Sequence, residues 1–243
     1  MAQHVRSHPD LAAGVVLDIG CGSGAGTAQP ASLLNPRQKV IGLDINAQAI
    51  HKATARHAAQ ANLSFHHGDF DAFLRDHPDL RIAGILCISV SMFLPDVQAF
   101  YQRACAALMP GGMFSQQRRR KNEAFAARTY AMCGCNMKML QQDGLQNMMQ
   151  EAGFSRVDSH AHEFELMKLS RLFTDYPAKR LIGNFFRNVR HPPGYFAGTK
   201  SSYLLRRTIS IFLFFMKNRT RFASGTFIGI KSHAQDAAPA SIH

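Results

Sequence analysis

Through its first half the chain alternates short apolar runs with stretches of helical periodicity. Val15-Val16-Leu17-Asp18-Ile19 is a compact run that ends in glycines, and Val40-Ile41-Gly42-Leu43-Asp44-Ile45 follows an Asn35-Pro36 turn. An Ala-rich helical pattern covers 47–61, and Leu63-Ser64-Phe65-His66-His67 predicts a third strand. Residues 82–90 form the most continuous apolar run of this half. Asp96 is placed to N-cap a helix that runs to Leu108 and stops at Pro110-Gly111-Gly112. Strands buried on both faces read as unbroken apolar runs. The β-α-β-α rhythm therefore predicts an α/β fold with a mostly parallel, doubly wound sheet.

After Gly112 the pattern loosens. Met113-Phe114-Ser115 starts a fifth strand, but Gln116-Gln117-Arg118-Arg119-Arg120-Lys121 is more polar than a central strand should be. A helix is expected over 122–133, and Asp143 with Gln146 reads as a capping box for a helix ending near Gly153. Residues 155–166 predict another strand and 226–230 a last one, with a frayed tail after His233. Between them, 167–221 is basic and aromatic, broken at His191-Pro192-Pro193-Gly194. No repeat or linker divides the chain, so 1–243 is expected to be one domain with 167–221 as an insertion.

Composition changes this picture in two ways. The chain has 243 residues, 46% hydrophobic and 18% charged, which excludes disorder, collagen and coiled coil as whole-chain descriptions. Its net charge is +12, and the excess is not shared evenly. Residues 1–100 carry seven Lys and Arg against eight Asp and Glu, and residues 101–243 carry twenty-one against eight. Such a field favours anionic partners. Five cysteines, an odd number, suggest no disulfide framework and point to a reducing cytoplasm. The polar start argues against a signal peptide, and the longest apolar run of the second half, 209–216, is far short of the roughly 20 residues of a spanning helix.

The chemistry concentrates at Asp18-Ile19-Gly20-Cys21-Gly22-Ser23-Gly24-Ala25-Gly26, between a strand and a helix. Glycines there let the backbone turn tightly and approach a ligand, and the helix start offers unpaired N–H groups. A loose dinucleotide fingerprint also fits, but Asp18 just before the first glycine suits a cationic ligand group and would repel a phosphate. Asp44 ends the next strand, where it can accept from both hydroxyls of a ribose. Asp69 ends the third, placed to accept from an exocyclic amine. One acid per consecutive strand end suits a nucleoside with a cationic amino-acid tail, which is S-adenosylmethionine.

These residues resemble the first three motifs of class I S-adenosylmethionine-dependent methyltransferases. Ser89-Val90-Ser91-Met92-Phe93-Leu94-Pro95-Asp96 is similar to the fourth-strand exit of their small-molecule branch. Leu108-Met109-Pro110-Gly111-Gly112-Met113 and Glu151-Ala152-Gly153-Phe154 resemble the approaches to their fifth and sixth strands. The resemblance covers about 14–166 and the final strand. It implies a Rossmann-like, seven-stranded sheet with the last strand antiparallel. It also implies Gly20, Gly22 and Gly24 around the methionine moiety with Asp18 near its amine, and Ile45 packing on the adenine. Asp69 and Phe70 would border that base, and Cys21 and Ser89 complete the cofactor-binding set. Three departures stand out: only fourteen residues before the first strand, Pro30 in the first helix, and the polar fifth strand.

The fourth-strand exit lacks the Asn/Asp-Pro-Pro-aromatic motif that marks amide-type nitrogen acceptors in this superfamily. Many small-molecule relatives have a His where this chain has Met92, so no base is evident there. Tyr130, His160 and His162 are the candidate catalytic bases, each with a structural role as the simpler reading. Ser91, Met92 and Phe93 are candidate walls of the acceptor pocket. His160-Ala161-His162 and Cys133-Gly134-Cys135 lack a second ligand pair, so no metal is expected. The resemblance thus implies methylation of a small, lipophilic metabolite, with RNA or protein methylation, or cofactor binding without turnover, as alternatives. The 167–221 segment is expected to be a lid or core packing first, then a contact with anionic membrane or a dimer seam, and nucleic acid last.

Overall fold

The computed structural model describes residues 1–88, 90–120, 142–164 and 222–233, and for residues 92, 118–120, 142, 143, 161–164 and 222–225 the backbone alone. A compact unit, Met1–His162 with Ser224–His243, holds nearly all of them. Seven strands, β1 (Val15–Ile19), β2 (Val40–Asp44), β3 (Leu63–His67), β4 (Ile82–Ile88), β5 (Leu108–Arg120), β6 (Arg156–Phe164) and β7 (Phe222–Ile230), form one sheet in the order β3-β2-β1-β4-β5-β7-β6. The pairs β2–β3, β1–β2, β1–β4 and β4–β5 are parallel, as the apolar runs predict. The β7 strand runs against its neighbours. Its last residues lie beside the start of β5, with Lys231 N–H donating to Gly112 O at 3.0 Å, and beside the start of β6, with Ser155 N–H donating to Ile230 O at 2.9 Å.

Alternation along the strands divides the core between two faces. Leu17, Ile19, Leu43, Ile85, Cys87 and Phe114 pack on one side beneath α4 (Phe70–Asp76), α5 (Val97–Ala107) and α6 (Gln142–Glu151). Val16, Val40, Ala83 and Leu86 pack on the other beneath α1 (Ala2–Ser7), which contributes Val5, and α2 (Ala25–Leu33), which contributes Ala31. Six residues of helix and Leu11 thus fill much of the short segment ahead of β1. The remaining helix, α3 (Ala47–Arg56), begins at Asn46, whose side chain accepts from the N–H groups of Gln48 and Ala49.

Several boundaries differ from expectation. The helix expected over 47–61 ends at Arg56, and α4, which no sequence pattern suggested, is capped by Asp69. The fourth strand ends at Ile88 rather than residue 90, and the sixth and last strands are 156–164 and 222–230 rather than 155–166 and 226–230. The α5 helix stops at Ala107, and β5 begins at once, so Pro110-Gly111-Gly112 lies inside the strand as an irregularity between the pairs Ile82–Leu108 and Gly84–Met113.

The polar run 116–120 belongs to β5. Gln116 is fully buried there, and Tyr101 on α5 donates its hydroxyl to Gln116 Oε1 at 2.6 Å. A buried amide with a partner costs little. The sixth helix, Gln142–Glu151, forms where expected, and Gln146 donates its amide N–H to Val157 O at 3.3 Å. Pro30 sits at the sixth position of α2, which is only nine residues long. The helix expected over 122–133, the 167–221 segment and the tail after His233 lie outside the described residues.

Candidate functional site

The turn between β1 and α2 stands at the carboxyl edge of the sheet. Gly20, Gly22 and Gly24 hold φ of +72°, +56° and +81°, a region side chains avoid. At Gly20 space also forbids a side chain, since a Cβ would run into Val90 Cγ2. At Gly22 nothing lies within 4 Å of where a Cβ would stand, so the backbone borders open space at contact distance for a ligand.

Backbone bonds pin this turn to β2. Gly20 and Cys21 N–H both donate to Leu43 O, at 2.8 and 3.0 Å, and Gly22 N–H donates to Asp44 Oδ2 at 2.8 Å. The other carboxylate oxygen of Asp44 accepts from Asn46 N–H at 2.8 Å, and its carbonyl accepts from Gly68 N–H at 3.0 Å. One residue therefore ties together the crossover turns after β1, β2 and β3. Each carboxylate oxygen keeps a further lone pair, so half-buried Asp44 retains acceptor capacity for a diol. Beside it Ile45 is 75% exposed, an apolar surface where a sheet edge is usually polar.

Asp18 is turned inward. It is 3% exposed, and its Oδ2 accepts from Thr27 Oγ1 at 2.6 Å, which ties β1 to the first turn of α2. Burial pushes its carboxyl up to about 6; the Thr27 bond opposes that shift and nearby Asp44 adds to it. Cys21 is buried against Gly42, and burial, with the charges of Asp18 and Asp44, pushes its thiol up to about 12. It is a packing residue, not a nucleophile.

Asp69 is exposed, with Oδ1 accepting from Ala72 N–H at 2.8 Å as the cap of α4. The ring of Phe70 lies in the core, edge-on to Phe100 with centroids 5.6 Å apart, so what it presents at the sheet edge is its backbone. At the exit of β4, Ser91 is buried, while Ile88 and Phe93 are 39% and 46% exposed. Met92 lies in the 3₁₀ turn Ser91–Phe93. His160 is exposed on β6, and His162 follows on the same strand. In the sheet order four strand spacings, roughly 19 Å, separate β6 from β1, whose end carries the glycine turn, so neither His is brought to it. Tyr130 and Ser89 lie outside the described residues.

Sequence reasoning missed Thr27, Val90 and Ile88. Thr27 was accessible in principle, because a buried strand-end carboxylate needs a donor and the first turn of the next helix is the nearest source. The contact of Val90 with Gly20 spans seventy residues of sequence and has no local signature.

The cradle fits S-adenosylmethionine. The open backbone at Gly22, the acceptor at Asp44 and the apolar surface of Ile45 are contiguous and match the loop, diol and base of a nucleoside. Comparison with known proteins agrees. Residues 11–153, more than half of the chain, match the model of a family described as a methyltransferase domain. A fatty-acid O-methyltransferase of Mycolicibacterium smegmatis is 32% identical over 99 residues, 41% of this chain and 35% of that protein. A ubiquinone biosynthesis O-methyltransferase of Nitrobacter winogradskyi is 34% identical over 122 residues, 49% of this chain and 44% of that protein. The chain spans less than half the length of either curated relative. A SAM-dependent methyltransferase of Geobacter sulfurreducens, solved with S-adenosyl-L-homocysteine, shares the fold with a TM-score of 0.60 at 16% identity, over 95% of this chain and 91% of that one. With the strand order, the pinned glycine turn and the family match in agreement, the chain belongs to the class I S-adenosylmethionine-dependent methyltransferases.

Proposed function

We propose that the protein transfers a methyl group from S-adenosylmethionine to a small, lipophilic metabolite. The observation that carries this reading is the open glycine turn bonded to Asp44 beside exposed Ile45. When bound, S-adenosylmethionine supplies a methyl group made electrophilic by its sulfonium. The chain's own residues bind and position. Gly20, Gly22 and Gly24 would border the amino-acid tail, Asp44 would accept from the ribose, and Ile45 would cover a face of the base. Asp18, held by Thr27, puts a negative charge behind the turn, where it offsets a cationic ligand. Ile88 and Phe93 offer an apolar wall that excludes water and orients an acceptor, and such positioning supplies much of the acceleration of an in-line displacement.

The names of both curated relatives point to lipophilic acceptors. Cys21, Cys87 and Cys105 are buried free thiols, which suits a reducing cytoplasm. Among the described residues no helix is long and apolar enough to cross a membrane.

Two measurements test the reading. Calorimetric titration with S-adenosylhomocysteine should show binding that Asp44→Ala weakens by about 1.5–3 kcal/mol, the range for hydrogen bonds to charged groups. Unchanged affinity removes Asp44 from the site. Incubation with labelled S-adenosylmethionine and a metabolite extract should then place label in an organic-extractable product. Label in RNA, or binding without any transfer, refutes the proposal.

A further inference from the structure

The Asp18–Thr27 pair carries a charge that a scaffold tie does not need. Alternation along β1 puts Asp18, with Val16, on the face of the sheet that α2 covers. Its side chain is 3% exposed, and the Thr27 hydroxyl that donates to Oδ2 at 2.6 Å is fully buried. Among the described residues, Thr27 is the only hydrogen-bond donor this carboxylate has. Its charged neighbour among them is Asp44 at the end of β2, which has the same sign. The thiols of Cys21 on the turn and Cys87 on β4 are pushed up by burial and stay neutral. An Asn in place of Asp18 would take the same hydroxyl bond without desolvating a charge. A buried carboxylate with no cation, set behind an open glycine turn, fits a ligand that brings the positive charge with it.

We propose that Thr27 is a positioning residue for the cofactor: its hydroxyl keeps the Asp18 carboxylate fixed and ionised behind the glycine turn, and S-adenosylmethionine binds that ionised form through its amino-acid ammonium. This rests on the methyltransferase reading and adds a proton to it. A chain whose Asp18 is protonated releases that proton to solvent as the cofactor binds. Without ligand the carboxyl stands at about 6, where burial raises it and the Thr27 bond draws it down. Cofactor binding is thereby linked to pH, at full strength above this value and failing below it.

Calorimetric titration of the full chain with S-adenosylhomocysteine, which carries the same amino-acid tail, reads the linkage. Affinity should fall about tenfold from pH 7.5 to pH 5, and at pH 6 each binding event should release about half a proton, measured in buffers of different ionisation enthalpy. His57 lies against Gly24 and His67 lies 3.1 Å from the Ile45 carbonyl, so Asp18→Asn separates their charges from that of Asp18. That variant should bind weakly at every pH, with the fall abolished. Thr27→Val keeps the shape and loses the donor; it should move the midpoint of the pH profile up by roughly one pH unit, and Thr27→Ser should restore it. Thermal unfolding without ligand checks the fold of each variant. A Thr27→Val chain that melts lower but keeps the parent midpoint makes Thr27 a brace of the scaffold and overturns the inference. A fall that survives Asp18→Asn overturns it too, and so does a flat profile in the unsubstituted protein, whatever the variants do, while the methyltransferase reading stands. A chain that ignores S-adenosylhomocysteine at every pH removes that reading itself, and the proposal with it.

Discussion

Asp18→Asn isolates the energetic cost of the buried carboxylate. The side chain keeps its shape and its oxygen acceptor for Thr27, but loses its charge. Below pH 3.8 Asp18 is protonated in both the folded and unfolded chain. Between 3.8 and about 6 only the folded chain holds the proton, so unfolding releases it and stability falls as pH rises. Above about 6 the folded carboxylate bears its full desolvation cost. Raising a carboxyl from 3.8 to about 6 corresponds to about 3 kcal/mol. The stability of the Asn variant minus that of the parent should therefore climb by about 3 kcal/mol across this window and level off near neutrality. Urea unfolding of both proteins without ligand, in steps from pH 4 to 8, measures the difference, in which all other titrating groups cancel. The Asn amide's own packing offsets the whole curve without changing its slope. A difference that stays flat over that range refutes the reasoning.

Other substitutions probe the scaffold. Gly20→Ala forces a side chain into φ +72° and against Val90, and should cost at least about 1–2 kcal/mol in thermal unfolding, part of it recovered by Val90→Ala in the same chain. Tyr101→Phe leaves Gln116 Oε1 buried without its hydroxyl donor, a loss of about 1–3 kcal/mol that an unchanged melting temperature would contradict. Asn46→Ala removes the cap of α3 and should lower stability by about 1 kcal/mol, read by chemical denaturation.

The parts of the site that were legible in the sequence are those set by local geometry. Glycines at 20, 22 and 24 announce a backbone that departs from ordinary φ, and the acids at 18 and 44 mark strand ends because each stands at the end of an apolar run. Their partners were not legible. Asp44 binds a backbone N–H twenty-two residues earlier, and Asp18 depends on Thr27. Asp69 read as a ligand contact, and what the sequence did not show is that it also caps a seven-residue helix too short for a periodic signal, although Phe70 and Phe73 share its buried face. Gln116 conflicted with a central strand because the Tyr101 hydroxyl that satisfies it lies on another element. Propensity and periodicity report on neighbours along the chain, and these contacts join elements that meet only in three dimensions.

The place of β7 between β5 and β6 also bears on how the protein is made. A ribosome that has released 120 residues has delivered β3, β2, β1, β4 and β5, five adjacent members of the sheet joined by parallel crossovers. Strand β6 emerges next but has no seat, because the strand that bridges it to β5 is not synthesised until residues 222–230. At roughly 5–20 residues per second, translation keeps that gap open for seconds. During that interval the free edge of β5 is a pairing hazard of the kind chaperones shield, and arrival of the final strand closes it.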